Sequence, residues 1–262
     1  MTCNICNSTS DYLFTRKVLN TYDCRYYHCP SCGYIHTDKP FWLAEAYASP
    51  IALADTGILK RNLEISRKLS KILYLMFERD SLYVDVAGGY GLMVRLMRDI
   101  GFDYYWEDDY TQNIFAKGFE ADFSGIKTYE TATAFEVLEH LESPLEYIRA
   151  TLDKTGASTL IFTTELYSGP PPRPESWWYF CFETGQHISF YQLRTLEFIA
   201  KKLNMNFISH NSLHIISKKK LDSLLFRVAT SKKFDRFLQQ RIRKKMATKT
   251  NSDHQYMLSG TR

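Results

Sequence analysis

The sequence predicts an α/β protein built on a doubly wound sheet, with a small addition at each end. Between residues 82 and 217, short apolar runs alternate with segments of helical periodicity. Two pairs of cysteines lie near the start, and residues 218–262 hold 13 Lys and Arg against three acidic residues. With 262 residues, 45% of them apolar, the chain can bury one large core beside a small appended module.

The leading segment is rich in cysteine and too polar to form a hydrophobic core alone. Cys3 and Cys6, and then Cys29 and Cys32, form two Cys-x2-Cys pairs. Each pair can present two thiolates from one tight turn, and four thiolates complete a tetrahedral zinc site. We therefore predict that residues 1–40 form a module held by a structural Zn²⁺. Nearby alternative ligands are Cys24, His28 and His36.

Helical periodicity begins after this module and gives way to an alternation of strands and helices. Apolar residues at helical spacing predict an amphipathic helix over 58–77, which ends a linker segment of residues 41–80. The main domain is expected over 81–217. Its predicted strands are 82–87, 104–106, 131–137, 159–163, 206–209 and 213–217. Its predicted helices are 92–100, 111–117, 144–152 and 195–203.

A glycine-rich turn joins the first predicted strand to its helix. Glycines remove the Cβ that would keep a ligand away from the backbone. A hydride-transfer fingerprint would place glycines at 87, 89 and 92, but Ala87 and Leu92 fail that pattern. An alanine at 87 costs little unless its φ is positive. The candidate cofactor residues here are Asp85, Ala87, Gly88, Gly89 and Gly91.

This turn resembles the first motif of class I S-adenosylmethionine-dependent methyltransferases. The stretch Phe-Glu-Val-Leu-Glu-His from Phe135 is similar to one common among small-molecule and sugar methyltransferases of that class, and His-Ile-Ser-Phe-Tyr from His187 resembles another of their elements. The resemblance covers roughly residues 82–217, and the cysteine pairs match the zinc-binding leader of some sugar methyltransferases. It implies a Rossmann-like sheet of seven strands and S-adenosylmethionine as the cofactor.

The resemblance also implies where the cofactor makes its contacts. Asp85 is expected near its methionine end. A carboxylate that follows the second strand accepts the ribose hydroxyls, since two acceptor oxygens suit a vicinal diol. We favour Asp108 and keep Glu107 as the second candidate, because the register of a short strand cannot be fixed to one residue from sequence. Phe135 and Glu136 are expected against the cofactor, although Glu136 could instead cap the following helix.

Two histidines are candidates for the base that removes a proton from a hydroxyl acceptor. The resemblance implies that Glu139 and His140 lie at the substrate rim and that His187 points into the substrate cleft. A neutral imidazole suits proton removal near neutral pH. We expect His187 to be the base and His140 the alternative, with Glu139 orienting a ring. His140 as a core histidine and Ser189 as a helix N-cap remain open.

The expected acceptor is a small molecule or a sugar, such as a nucleotide-sugar or a surface glycan. The long connection over 165–186 carries Trp177, Trp178, Tyr179 and Phe180, which could pack against a sugar ring or form the loop's own core. Two other functions stay open. One is an RNA methyltransferase, disfavoured because the leader is not basic, so a nucleic-acid partner is not expected. The other is a catalytically silent scaffold.

Composition also bears on location and partners. No run of about 18 apolar residues and no signal peptide is present, so we expect a cytoplasmic protein with reduced cysteines. Residues 218–262 form a basic extension with two amphipathic helical patterns. This extension could contact a membrane surface or an acidic partner. The sequence does not indicate an oligomeric state.

Overall fold

The computed structural model describes residues 1–48, 55–125 and 127–260. The chain forms two compact units. The first unit comprises Met1–Leu53, Phe135–Ala150 and Phe162–Ile216, and the second comprises Ala54–Ala134, Thr151–Ile161 and Ser217–Arg262. Each unit is therefore assembled from stretches that are distant in sequence.

The described residues contain ten strands and eight helices. The strands are β1 (Asp11–Val18), β2 (Tyr22–His28), β3 (Ile35–Thr37), β4 (Leu82–Val86), β5 (Asp103–Glu107), β6 (Tyr129–Ala134), β7 (Thr159–Thr163), β8 (Ser189–Phe190), β9 (Asn206–His210) and β10 (Leu213–Ser217). The helices are α1 (Leu43–Ala46), α2 (Ile58–Met76), α3 (Leu92–Ile100), α4 (Pro144–Thr155), α5 (Leu193–Lys202), α6 (Ser223–Thr230), α7 (Asp235–Lys245) and α8 (Thr250–Ser259). In the part of the chain that the structure describes, no helix combines the length and apolar character needed to cross a membrane.

Six strands form the main sheet in the order β5-β4-β6-β7-β10-β9. Both β5 and β6 pair with β4 in parallel. All five residues of β7 and of β10 are buried, as expected for strands covered on both faces. The loop between β9 and β10 contains Asn211 and Ser212, both with positive φ, which is the signature of a tight hairpin turn. The predicted α/β class is confirmed.

The expected seventh strand is not present among the described residues. Beside β5, the chain forms only a single parallel bridge, between Trp106 and Glu120. The neighbouring segment 111–117, predicted as a helix, is irregular. There the Asn113 side chain accepts a hydrogen bond from the Ala116 amide, and the Thr111 hydroxyl donates to the Gly89 carbonyl. These side-chain bonds compete with helical ones, and the helix prediction was wrong for that reason.

A second sheet, in the first unit, has the order β1-β2-β3-β8 and is antiparallel. Its apolar face lies in a cluster that includes Tyr26 and Ile35 from the leading segment and Tyr179, Phe180 and Ile188 from the region of the long connection. The leading 40 residues thus complete their core with side chains from far along the chain. This agrees with the expectation that they cannot form a core alone.

The basic extension is helical, as predicted, and belongs to the second unit. Helices α6 and α7 lie against α2. The ammonium group of Lys71, whose side chain is 2% exposed, pairs with Asp235 at 2.7 Å. The Arg98 guanidinium donates from Nε and Nη2 to the two carboxylate oxygens of Asp253, at 2.8 and 2.7 Å, and both side chains are buried. The extension is therefore held by one buried and one partly exposed ion pair as well as by apolar contacts.

Replacing Asp253 by alanine is expected to lower the free energy of unfolding by about 3 kcal/mol, because it removes the bidentate carboxylate partner of the buried Arg98, which is left with a 3.4 Å pair to Asp103. The double variant Arg98→Met with Asp253→Leu should cost much less, since neither charge is then buried. Asp23→Ala, which breaks an exposed pair with Lys17, is the control and should cost about 1 kcal/mol or less. Urea denaturation followed by circular dichroism measures all three. A small loss in the single Asp253 variant would contradict the assigned role.

Candidate functional site

The turn between β4 and α3, in the second unit, exposes its backbone as predicted. Gly89 and Gly91 have φ of 55° and 84°. A Cβ on Gly91 would lie 2.7 Å from the Asn113 side-chain oxygen, so that position requires glycine. A Cβ on Gly89 would meet no described atom within 4 Å. The space beside the Gly89 α-carbon is therefore open to a ligand.

At position 87, where a glycine would be favoured, the chain has an alanine whose backbone conformation is strained. Its φ is 52°, in the left-handed region, where an L residue is disfavoured by roughly 1–2 kcal/mol. The alanine at 87 therefore carries the cost expected for a positive φ, which weakens the resemblance to the methyltransferase motif at this position. Strain of this kind persists where surrounding structure enforces it, and it concentrates at functional sites.

Asp85 lies at the end of β4 and is 3% exposed. Its carboxylate accepts a hydrogen bond of 2.5 Å from the Thr133 hydroxyl, whose oxygen lies 2.7 Å from the Tyr104 hydroxyl. Burial raises the pKa of Asp85 to about 7, with smaller contributions from the charges of Asp108 and Glu107 and an opposing one from the Thr133 hydrogen bond. Asp85 is therefore poised to change charge near neutral pH.

Asp108 holds the glycine turn in place. One of its oxygens accepts from the Gly89 amide at 2.9 Å, and the other accepts from the amides of Tyr110 and Thr111. A carboxylate has about four acceptor positions, so about one remains for a ribose hydroxyl. Glu107, the second candidate, ends β5 and accepts from Lys154 at 2.5 Å through one oxygen. The choice between Asp108 and Glu107 stays a prediction.

In the first unit, Glu139, His140 and His187 come together. Their possible ligand atoms all lie within 4.8 Å of one another, a group that could also hold a metal ion. Nδ1 of His140 lies 3.0 Å from the Gln186 carbonyl oxygen, and Nδ1 of His187 lies 2.7 Å from that of Tyr179. Because a carbonyl oxygen only accepts, the contact with Tyr179 puts the proton of His187 on Nδ1. The lone pair of the His187 imidazole is therefore on Nε2.

Burial also lowers the pKa of His140 to about 4, against the raising effect of its hydrogen bond to Gln186. His140 is thus neutral at physiological pH. The Tyr47 hydroxyl lies 2.7 Å from His140 Nδ1. Burial, and secondarily the charge of Glu139, raises the pKa of Tyr47, which keeps the phenol protonated. Sequence reasoning did not place Tyr47 here, because it lies 93 positions from its partner.

Glu136 lies two residues beyond β6 with a φ of 55°. Its amide donates to the Thr163 hydroxyl oxygen at 2.9 Å, and that hydroxyl donates to the Glu136 carboxylate at 2.7 Å. The adjacent Phe135 is half-buried. Glu136 does not cap the short helical turn that follows, whose N-cap is Val137 without a side-chain cap bond. Ser189 is likewise no cap, because it lies in β8 and the N-cap of α5 is Gln192.

The aromatic residues of the long connection mostly form a packing core. Tyr179 and Phe180 are 3% and 1% exposed, and Trp177 packs against the same cluster. Only Trp178, 76% exposed, presents a ring face to solvent within this group of four. The interpretation of Tyr179 and Phe180 as a sugar platform is therefore wrong.

The four predicted cysteine ligands come together in the first unit. The Sγ atoms of Cys3 and Cys32 lie 3.7 Å apart and those of Cys6 and Cys29 lie 3.4 Å apart. A tetrahedral zinc with bonds of about 2.3 Å separates its sulfur ligands by about 3.8 Å. Of the alternative ligands, His36 is engaged by Ser10 and Thr37, and within the described residues neither Cys24 nor His28 joins the group. The donor set is compatible with zinc.

Comparison with known proteins identifies a family. Residues 59–210, which are 152 of the 262 positions, match a family model described as a methyltransferase domain. A search of curated proteins found no match.

Solved structures resemble the chain at low identity. An O-methyltransferase family protein from Burkholderia thailandensis has 11% identity and a TM-score of 0.47, with 68% of each chain covered. Human N-acetylserotonin methyltransferase, in complex with S-adenosylmethionine, has 12% identity and a TM-score of 0.42, with 68% of this chain and 66% of that chain covered. Magnesium protoporphyrin IX methyltransferase from Synechocystis has 12% identity and a TM-score of 0.39, with 68% and 89% covered.

Proposed function

The chain belongs to the methyltransferase domain family, and from this membership we propose that it transfers a methyl group from S-adenosylmethionine to a small-molecule or sugar acceptor. The observation that carries the proposal is the turn after β4, where the space beside Gly89 is open and Asp108 holds the backbone in place. Glycine-rich turns that begin a helix offer amide groups to a ligand.

The fit of S-adenosylmethionine to these residues rests on charge and shape. The cofactor supplies an electrophilic methyl group on a sulfonium. We assign Asp85 to its methionine end, where a carboxylate attracts the cationic ammonium group. Asp108, with Glu107 as the second candidate, is assigned to the ribose hydroxyls, and the backbone of Ala87, Gly88, Gly89 and Gly91 forms the turn. Phe135 and Glu136 are proposed to contact the cofactor.

We propose His187 as the base that would accept the proton of an acceptor hydroxyl, while S-adenosylmethionine would supply the methyl group from its sulfonium and leave as the thioether. The hydrogen bond from Nδ1 to Tyr179 supports this role, because it puts the accepting lone pair on Nε2. His140 is the alternative, and burial, which lowers its pKa to about 4, makes it a weak base. Glu139 is proposed to orient the imidazole rings.

The acceptor class is the least constrained part of the proposal. Trp178 is the exposed ring available to pack against a sugar, such as that of a nucleotide-sugar or a surface glycan. An RNA acceptor is less favoured, since residues 1–40 carry four Lys and Arg against three Asp and so are nearly neutral.

We further propose that Cys3, Cys6, Cys29 and Cys32 hold a structural Zn²⁺. Four thiolates saturate the ion and leave no position for water or substrate. The site is therefore assigned to stability rather than to chemistry. Because thiolate ligands must stay reduced, we propose that the protein works in the cytoplasm.

Titration calorimetry with S-adenosylmethionine tests the cofactor proposal and gives Asp85 a distinctive signature. Its pKa of about 7 means that the carboxylate is mostly protonated at pH 6 and mostly ionised at pH 8. Affinity for the cationic ligand is therefore expected to rise about tenfold over that interval. In the Asp85→Asn variant the pH dependence should disappear.

Adenosine, which lacks the ammonium group, is the control ligand and should bind with little change between pH 6 and pH 8. If the folded protein shows no heat of binding with S-adenosylmethionine or with its demethylated product, the proposed function is overturned. The catalytically silent scaffold is then the remaining function. Binding that is insensitive to pH would remove only the role of Asp85.

A further inference from the structure

The charge of the basic extension is not neutralised by its own acidic residues. Residues 218–262 carry 13 Lys and Arg and only three Asp. Asp222 caps α6 by accepting from two backbone amides, Asp235 pairs with Lys71, and Asp253 pairs with Arg98. All three carboxylates are therefore committed to holding the helices in place. The outer side of the extension is strongly cationic.

Helix α6 places apolar side chains on this outer side. Its buried residues, Phe226, Ala229 and Thr230, lie on one face. Leu224 and Leu225 are 69% and 38% exposed, and helical spacing puts Leu224 almost opposite the buried face. These two leucines are therefore accessible for an apolar contact.

Helix α7 repeats the arrangement with aromatic rings. Leu238 and Ile242 are its buried residues. Phe234, Phe237, Arg241 and Lys244 are exposed and follow one another at intervals of three or four, which aligns them along one stripe of the helix. Along the stripe, two aromatic residues are followed by two cationic residues. We name these four residues, together with Leu224 and Leu225, the α6–α7 surface.

We propose that the α6–α7 surface binds the surface of an anionic lipid bilayer. Leucine and phenylalanine side chains insert into the boundary between headgroups and acyl chains, and neighbouring Arg and Lys contact phosphate. Because the exposed side chains of the extension are cationic, charge complementarity favours anionic over neutral lipid headgroups. The inference is independent of the proposed methyl transfer, since it rests on residues outside the family match.

Two features favour a bilayer over single-stranded RNA, the other anionic polymer that a basic surface attracts. Leu224 and Leu225 have no aromatic face on which a base could stack. In addition, Phe237 is 63% exposed on the same stripe as two cations, so that insertion and phosphate contact can occur together. A methyltransferase held in this way would meet acceptors at a membrane surface.

Sedimentation of the full chain with vesicles tests the inference. We expect binding to vesicles of phosphatidylcholine with phosphatidylglycerol, weakening as salt is raised, and little binding to phosphatidylcholine alone. Phe237→Ser should weaken binding about tenfold. The pair Arg241→Gln and Lys244→Gln should weaken it about 25-fold, at about fivefold for each cation.

Matched controls lie in the first unit. Tyr12 is 61% exposed, a fraction similar to the 63% of Phe237, so Tyr12→Ser removes a comparably exposed ring. Lys17→Gln with Lys39→Gln removes two exposed cations elsewhere. Controls that keep full binding support the inference. Equal binding to neutral vesicles, equal losses in control and test variants, or binding of single-stranded RNA without binding of vesicles would each overturn it.

Discussion

Replacing Cys29 by serine is expected to release a bound Zn²⁺ and to unfold the four-stranded sheet of the first unit. Structural zinc contributes about 10–16 kcal/mol of apparent binding free energy in small zinc modules, and loss of one of four thiolates forfeits a large part of it. Cys29 lies between β2 and β3, so the loss of this ligand destabilises the turn that sets the pairing of the two strands. Atomic emission on the purified protein should fall from about one zinc per chain to nearly none.

Cys24→Ser separates the loss of a ligand from the loss of a cysteine. Cys24 is fully buried in β2 but does not belong to the group of four sulfurs. This variant should lose some packing, about 1 kcal/mol, yet keep its zinc. Wild-type protein without stoichiometric zinc, or a Cys29→Ser variant that retains it, would contradict the assignment.

Elements bounded by strong local signals could be predicted from the sequence. Helix α3 begins after Gly91 and ends before Gly101, both with positive φ, and its predicted bounds agree with the structure. The bounds of β7 and β10 were also predicted correctly, because short, mainly apolar runs of that length suit central strands. In each case the deciding interactions lie within a few residues of the element.

Elements decided by distant partners could not be predicted. Strands β1 and β2 mix polar and apolar residues, and their core is completed by aromatic residues over 130 positions later in the chain, such as Trp177 and Phe180. The segment 111–117 has helical composition but is held irregular by Asn113 and Thr111. Local propensity is a weak guide where tertiary hydrogen bonds compete with it.

The candidate site divides in the same way. Contiguous motifs identified the glycine turn, the cysteine pairs and the Glu139-His140 dipeptide. Their partners were missed, because Thr133 lies 48 positions from Asp85 and Tyr47 lies 93 positions from His140. For Asp108 a local signal existed, since an Asp followed by polar turn residues commonly accepts from amides two and three positions on.

Replacing His187 by asparagine is expected to lower kcat for methyl transfer by about 10²–10⁴-fold, the usual contribution of a positioned base. Asparagine can keep the hydrogen bond that His187 Nδ1 donates to the Tyr179 carbonyl, but it removes the lone pair of Nε2. Calorimetric affinity for S-adenosylmethionine should therefore be unchanged. The rate is measured as formation of the demethylated cofactor with nucleotide-sugar and phenolic acceptors.

His140→Asn is the matched comparison, because Nδ1 of His140 also lies at hydrogen-bond distance from a carbonyl oxygen, that of Gln186. Its burial holds the pKa near 4, so the loss of its Nε2 should cost much less than the loss at His187. Since the pKa of His140 is lowered, the group stays neutral above pH 5 and adds no step to the rate profile there. Equal, large losses in both variants would favour a shared role, such as joint metal ligation with Glu139, over a single base. Full turnover in both would remove base catalysis by either histidine.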